Sequence, residues 1–292
     1  MVSVAPLIVI TGPTASGKSS LALKLAKKWG GEIICADSRT IYKGMDIGTA
    51  KPTVAEQKDV PHWLLDVAQP GDRFTVADFQ RLALQAITDI RRRGKIPFLI
   101  GGTGLYIDAV VLNFVFGPDI DNERRQRLEA LSIGELISLH EKQHMTLPEN
   151  AKNKRYLVRN IEKNNALTSR RKRPDDDTAV FAIDIENDVL KMRIRKRVES
   201  MFTNNIVYET QQLLQAYGHE NEAMTGNIYK IVGRLIDGEI TQSEAMHLCE
   251  TKDWQLAKRQ KTWLRRHDFV QWVSLHDAKT AIEAILRKYR DA

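Results

Sequence analysis

The eight residues Gly12-Pro13-Thr14-Ala15-Ser16-Gly17-Lys18-Ser19 leave this chain few folds. They fit GxxxxGK[ST], and their surroundings are those the pattern requires. Ahead lies the apolar, β-branched run Leu7-Ile8-Val9-Ile10; behind, Leu21, Leu23, Leu25 and Ala26 recur with no Gly or Pro before Gly30. The order is strand, tight loop, helix. Gly12 and Gly17 permit a turn whose N–H groups point inward, where the helix dipole also begins. Lys18 adds a point charge against phosphate oxygens, and the Ser19 hydroxyl is a ligand for Mg2+. The pattern binds phosphate and is silent about what the phosphate is attached to.

The same alternation continues. Glu32–Ala36 reads as a second buried strand ending at Asp37-Ser38. From Val76 to Arg93 the residues Phe79, Leu82, Ala83, Ala86, Ile87 and Ile90 recur at helical spacing, with Gly94 at the C′ position. Ile96–Ile100 is a third strand running into Gly101-Gly102-Thr103-Gly104. Strands alternating with helices predict an α/β fold, a P-loop NTPase-like parallel sheet with flanking helices. After Gly117-Pro118 the character changes to charged, helical and strandless, which predicts a small all-helical insertion domain. Thr178–Ile185 reads as a returning strand, Glu186–Tyr217 as one helical stretch with a basic face (Lys191, Arg193, Arg195, Lys196, Arg197), and Gln242–Thr262 and Ala278–Arg290 as further helices. The expected division is 1–116 and 176–292 for the two parts of the core and 117–175 for the insertion.

At 292 residues the chain can bury a sizeable core. No apolar run reaches the roughly 20 residues needed to span a bilayer. Met1–Pro6 has no basic n-region and Leu7–Ile10 is too short for a signal peptide, so a cytoplasmic protein is expected. Cys35 and Cys249 are far apart, which excludes a disulfide framework and a Cys-based zinc site; buried free thiols are expected. No HExxH spacing suggests a metal held by imidazoles. The net charge of +7 is a modest bias, but its placement is uneven. Between Lys152 and Arg173 nine Lys or Arg face the single acid Glu162, and a second basic stretch runs from Lys258 to Arg266. Such clusters supply phosphate-backbone affinity, or are simply solvated faces.

Two residue groups share an edge with the loop. Asp37 follows a strand parallel to the loop strand and is either a proton acceptor or a turn residue. Ser38 and Arg39 either contact a substrate or cap that turn. Gly101–Gly104 admits close backbone approach and offers the Thr103 hydroxyl, or is a plain strand-to-helix turn.

Taken together with Ile41–Pro52, Pro61-His62, Leu65-Asp66, Ala257-Lys258-Arg259-Gln260 and Thr262–Arg265, these stretches resemble the tRNA dimethylallyltransferase (tRNA isopentenyltransferase) family in its bacterial form. The similarity spans about residues 7 to 270. It implies transfer of a dimethylallyl group from its diphosphate to N6 of the adenosine immediately 3′ of the anticodon, with Mg2+ as cofactor. Gly12, Pro13, Thr14, Ala15, Ser16, Gly17, Lys18 and Ser19 would hold the diphosphate, with Ser19 toward the metal. Asp37 would be the general base, Thr103 would stabilise the bridging oxygen, and Lys18 would pull charge onto the leaving group. Asp37, Ser38, Arg39, Thr40 and Thr103 would contact tRNA, as would Arg125, Arg155, Tyr156, Leu157, Val158 and Arg159 in the insertion. A monomer working on the anticodon stem-loop, away from any membrane, is the expected form. The family's Arg ahead of a Gly-Tyr-Lys/Arg string is missing from Met224–Lys230. A P-loop kinase-like phosphotransferase and a catalytically degenerate tRNA-binding P-loop protein are the competing readings.

Overall fold

The computed structural model describes residues 4–116, 122–163, 169–219 and 221–292. The first elements are β1 (Leu7–Thr11), α1 (Lys18–Trp29), β2 (Gly31–Ala36), α2 (Val54–Asp59), β3 (His62–Trp63), α3 (Val76–Arg92), β4 (Ile96–Gly101) and α4 (Gly104–Val111). Then come α5 (Asn122–Ala130), α6 (Ile133–Lys142) and α7 (Lys154–Lys163), followed by β5 (Thr178–Ile183), α8 (Asn187–Thr203) and α9 (Ile206–Tyr217). The chain closes with α10 (Asn227–Ile236), α11 (Gln242–Leu264), β6 (Gln271–Val273) and α12 (Leu275–Arg290).

Among the described residues the strands form one sheet in the order β3-β2-β4-β1-β5-β6. Every pairing in it is parallel. β1, β2 and β4 are buried along their whole length, as strands covered on both faces must be. Phe98, Phe181, Ile8 and Ile10 pack with Leu25 of α1 and Ile282 of α12 on one side of the sheet, each such side chain contributing about 1.5–3 kcal/mol. Helix starts are written into the sequence: Thr53 with Glu56, Thr75 with Asp78 and Thr241 with Glu244 each form a reciprocal capping box. Arg93 caps α3 and Gly94 follows at φ 69°.

Because β4 lies between β1 and β2, the loop after β1, the end of β2 and the end of β4 converge on one edge. The register states this directly: Thr11 pairs with Gly101, and Ala36 pairs with the same Gly101.

Several expectations need correction. The stretch Glu186–Tyr217 is two helices, because Asn204 caps α8 and Asn205 adopts a left-handed φ of 69° that Asn tolerates. Its five cations do not share a face: Arg193 and Arg197 turn toward the phosphate loop, while Lys191 and Arg195 pair outward with Asp188 and Glu250. The strand after residue 177 ends at Ile183, two residues short of Ile185. Elements β3, β6, α2, α4 and α10 were not anticipated. Two or three residues of strand carry no period, and Gly233 obscures the helical pattern of α10. Both cysteines are free and buried.

The chain forms two compact units, Met1–Asn113 with Lys172–Ala292, and Phe114–Arg171. The expected boundary at Gly117-Pro118 lies outside the described residues. The smaller unit is helical, with Leu128, Leu136, Leu157, Val158 and Ile161 as its own core.

Candidate active site

The helix following the phosphate loop begins without a cap. Gly17, at φ 93°, precedes α1 and offers no side-chain hydrogen bond, and no acidic residue occupies the first turn. The first N–H groups of a helix need a partner, and here the sequence supplies a cation, Lys18, instead of a carboxylate. Such a start favours an anion. Ser16 Oγ is buried without a partner at the same place.

A cavity of about 510 Å3 opens in front of this helix start. Thr14, Lys18 and Ser19 line it from the loop; Asp37, Ser38, Arg39 and Thr40 from the end of β2; Gly101, Gly102 and Thr103 from the end of β4. Lys18 Nζ donates to the Pro13 carbonyl at 3.1 Å. Burial lowers its pKa to about 8, partly countered by the Asp37 carboxylate and reinforced by the Arg197 guanidinium.

Asp37 is a turn residue that also lines the cavity. Its Oδ1 accepts from the Arg39 N–H at 2.8 Å, the bond of a turn residue, while the carboxylate lines the cavity. Thr103 Oγ1 accepts from the Ser38 N–H at 3.1 Å, which leaves the hydroxyl proton free to be donated. Thr40 Oγ1 is buried and has no partner.

Arg197 on α8 closes the loop side, donating to Thr14 Oγ1 at 2.6 Å, with its Nε 3.8 Å from the buried Asp253 carboxylate. Burial raises the Asp253 pKa, and Arg197 opposes the shift. One turn earlier, Arg193 donates to the Ser16 carbonyl at 3.0 Å. Gln260 on α11 ties two loops together: its Oε1 accepts from the Thr14 N–H at 2.8 Å and its Nε2 donates to the Gly102 carbonyl at 3.0 Å. Gly102 must be glycine for this contact, since a Cβ would lie 2.3 Å from Gln260 Nε2.

The opposite wall is Gly48, Thr49, Ala50 and Pro52, in a loop held from behind. Glu209 accepts the N–H groups of Asp46, Ile47 and Gly48 at 2.9, 2.7 and 3.0 Å, and the Tyr229 hydroxyl at 2.8 Å. Lys51, buried, donates to the Tyr42 carbonyl at 2.9 Å and to Asp46 and Asp66 at 2.5 and 2.6 Å. The Asp46–Pro52 part of the Ile41–Pro52 stretch is thus a brace for the cavity wall. Arg39 Nη1 donates to the Ala223 carbonyl at 3.2 Å, so a guanidinium reaches the stretch where the expected arginine is missing.

Comparison with known proteins places this geometry. Residues 40–267 match the family model described as IPP transferase, and residues 5–73 match one described as isopentenyl transferase. The chain belongs to the IPP transferase family. It is 39% identical to the tRNA dimethylallyltransferase of Desulforudis audaxviator over 287 residues, 93% of each chain. It is 40% identical to that of Moorella thermoacetica, covering 91% of this chain and 89% of the relative. The crystal structure of the tRNA isopentenylpyrophosphate transferase from Bacillus halodurans superposes with a TM-score of 0.74 at 33% identity, covering 98% of both chains. A eukaryotic dimethylallyltransferase acting on tRNA shares the fold, with a TM-score of 0.78 at 22% identity over 96% of this chain and 78% of its own.

Within this family fold, the expected site residues separate by position. Lys18, Ser19, Thr14, Asp37, Ser38, Arg39, Thr40 and Thr103 meet at one cavity. Gly12, Pro13, Ala15, Ser16 and Gly17 shape the loop without lining it. Arg125, Arg155, Tyr156, Leu157, Val158 and Arg159 belong to the smaller unit. The side chains of Leu157 and Val158 are buried in that unit's core. Arg125 is partly buried and donates to Glu162 at 2.7 Å, tying α5 to α7. Arg155 and Tyr156 are exposed and Arg159 half-buried. Arg197, Arg193, Asp253 and the two-loop role of Gln260 were missed. The four-residue spacing of Arg193 and Arg197 on one helix was their available signal. No helix among the described residues is long and apolar enough to cross a membrane.

Proposed function

We infer that this chain transfers a dimethylallyl group from dimethylallyl diphosphate to N6 of the adenosine 3′-adjacent to the anticodon of tRNA, releasing diphosphate. The observation that carries the reading is the convergence, on one cavity, of an uncapped cationic helix start, a carboxylate with one occupied oxygen, and a hydroxyl with a free proton. An allylic C–O bond ionises when charge on the departing diphosphate is stabilised. The loop N–H groups, Lys18 and Arg197 supply that stabilisation from fixed positions. Thr103 donates its hydroxyl proton as a hydrogen bond to the bridging oxygen as the bond lengthens. N6 of adenine attacks the allylic carbon, and its proton passes to the Asp37 oxygen that Arg39 leaves open.

The donor set fits Mg2+. Ser19, exposed in the cavity beside the phosphate loop, would be a single hydroxyl ligand, and no cluster of acidic or imidazole groups would compete for the ion among the described residues. A cation that keeps most of its waters would need few protein ligands. Bound there, it would neutralise diphosphate charge.

The cations of the smaller unit, Arg155 and Arg159 with their neighbours, hold the phosphates of the anticodon stem. The target base is unstacked from its loop at a cost of a few kcal/mol, offset by contacts in the pocket. Incubation of the protein with dimethylallyl diphosphate and unmodified tRNA, followed by mass spectrometry of the anticodon-loop nucleosides, tests the reading. A dimethylallyl mass increment on the adenosine 3′ of the anticodon is expected. Phosphoryl transfer from labelled ATP without prenylation would sink it.

A further inference from the structure

The reaction outlined above uses the rim of the cavity and leaves one of its walls without a role. Lys18 and Ser19 begin α1, and Ala22 follows one turn later on the same side, lining the same cavity. Facing it are Ile33 and Cys35, alternate residues of β2. Ile100 of β4 stands beside Cys35 and His62 of β3 beside Ile33. Ala22, Ile33, Cys35 and Ile100 are all more than nine-tenths buried and line the cavity. The wall presents no charged group, and burial raises the Cys35 thiol's pKa, so the sulfur stays neutral.

Depth along this wall can be read from the strand. Cys35 precedes Asp37 by two residues and Ile33 by four, or about 7 and 13 Å at a strand's rise per residue. An isoprene unit, four carbons in a row with bonds of about 1.5 Å, is roughly 5 Å long. A donor whose phosphates lie on the loop and whose reacting carbon lies near Asp37 therefore carries its first isoprene unit to the depth of Cys35. A second unit meets Ile33 and His62.

We propose that Ala22, Cys35 and Ile100 hold the prenyl group, and that Ile33 with His62 forms the stop that limits the donor to five carbons. The assignment rests on the prenyl-transfer reading. Anion at the loop, then a short branched hydrocarbon against an apolar wall, is the order of groups in an allylic diphosphate. The wall thereby sets chain length by exclusion.

The test compares kcat/KM for dimethylallyl and geranyl diphosphate, with unmodified tRNA as acceptor, in the full chain and its variants. The wild type is expected to prefer the shorter donor by about 100-fold or more, the discrimination a filled apolar pocket reaches. Ile33→Ala and, separately, His62→Ala open the stop and lower that preference at least tenfold, through gain with geranyl diphosphate. His62 is half-buried on a sheet edge, so that variant still answers if the buried Ile33→Ala fails to fold. Cys35→Val narrows the wall and raises KM for dimethylallyl diphosphate about tenfold, leaving KM for tRNA in place. A wild type that accepts both donors equally, or folded Ile33 and His62 variants with an unchanged ratio, overturns the stop. A wild type inert with both donors overturns the underlying reaction instead.

Discussion

Asp37 has two carboxylate oxygens and one internal obligation. The Arg39 N–H takes Oδ1, so the turn is held whether or not the group ionises. Asp37→Asn preserves that acceptor and removes the base. Turnover is expected to fall about 10^2 to 10^4-fold, the usual share of general-base catalysis, while tRNA affinity by filter binding holds. Unchanged single-turnover rates would remove Asp37 from the chemistry. Lys18 makes a second prediction. Burial brings its pKa down to about 8, so the ammonium is a full cation below that pH and is lost as pH rises through it. The free enzyme's kcat/KM for the diphosphate donor is therefore expected to decline above about pH 8. A bound diphosphate stabilises the ammonium, so kcat at saturation declines later. A profile flat to pH 10 would contradict the assignment.

Between elements, the site depends on the amide of Gln260 reaching from α11 to both loops. Gly102→Ala places a methyl group 2.3 Å from Gln260 Nε2. Displacing the latch by about 1 Å is expected to lower kcat roughly 10^2-fold, since misplacement of that size is enough, with little change in circular dichroism. The other end of the sheet behaves differently. Glu32, at the start of β2, is buried and accepts from Trp63 Nε1 at 2.8 Å, Lys95 at 2.7 Å and the guanidinium of Arg93. These donors, Arg93 foremost, hold its pKa at about 2. A depressed carboxylate pKa stabilises the fold above the ordinary value of 4.5 and loses that contribution as pH falls through about 2. Glu32→Gln is expected to cost on the order of 2 kcal/mol in urea melts at neutral pH, without changing kcat of the folded fraction. The same contrast shows what could be read ahead of time. β1, β4 and α3 carry a clear period or an unbroken apolar run, and they lie where the pattern put them. The two-residue β3 and the left-handed break at Asn205 have no period to read, and only pairing and packing create them.

Across the whole molecule, charge is unevenly shared. The smaller unit holds Lys152 and Arg155 exposed above a core of its own. If these cations contact phosphate, the logarithm of tRNA affinity falls linearly with the logarithm of salt concentration. Lys152→Glu with Arg155→Glu is expected to flatten that slope by roughly 1.4–1.8, about 0.7–0.9 for each lost contact, and to weaken binding with kcat preserved at saturating tRNA. An unchanged slope would leave the basic segment as a solvated face.

Gly12–Ser19 determined by itself a tight loop running into an uncapped, cationic helix start, because spacing alone sets that geometry. Local pattern likewise placed the central strands, the long helix α3 and the helical, basic character of the insertion. Tertiary structure decided the rest. Arg197, Gln260 and Asp253 are 160 or more residues from Lys18 in sequence and reach its cavity only because α8 and α11 pack there. It also buried the side chains of Leu157 and Val158, since the apolar face of a helix is spent on its neighbours. Chain pattern reports what each segment needs to bury. Which side chains then meet in space depends on how those segments satisfy one another.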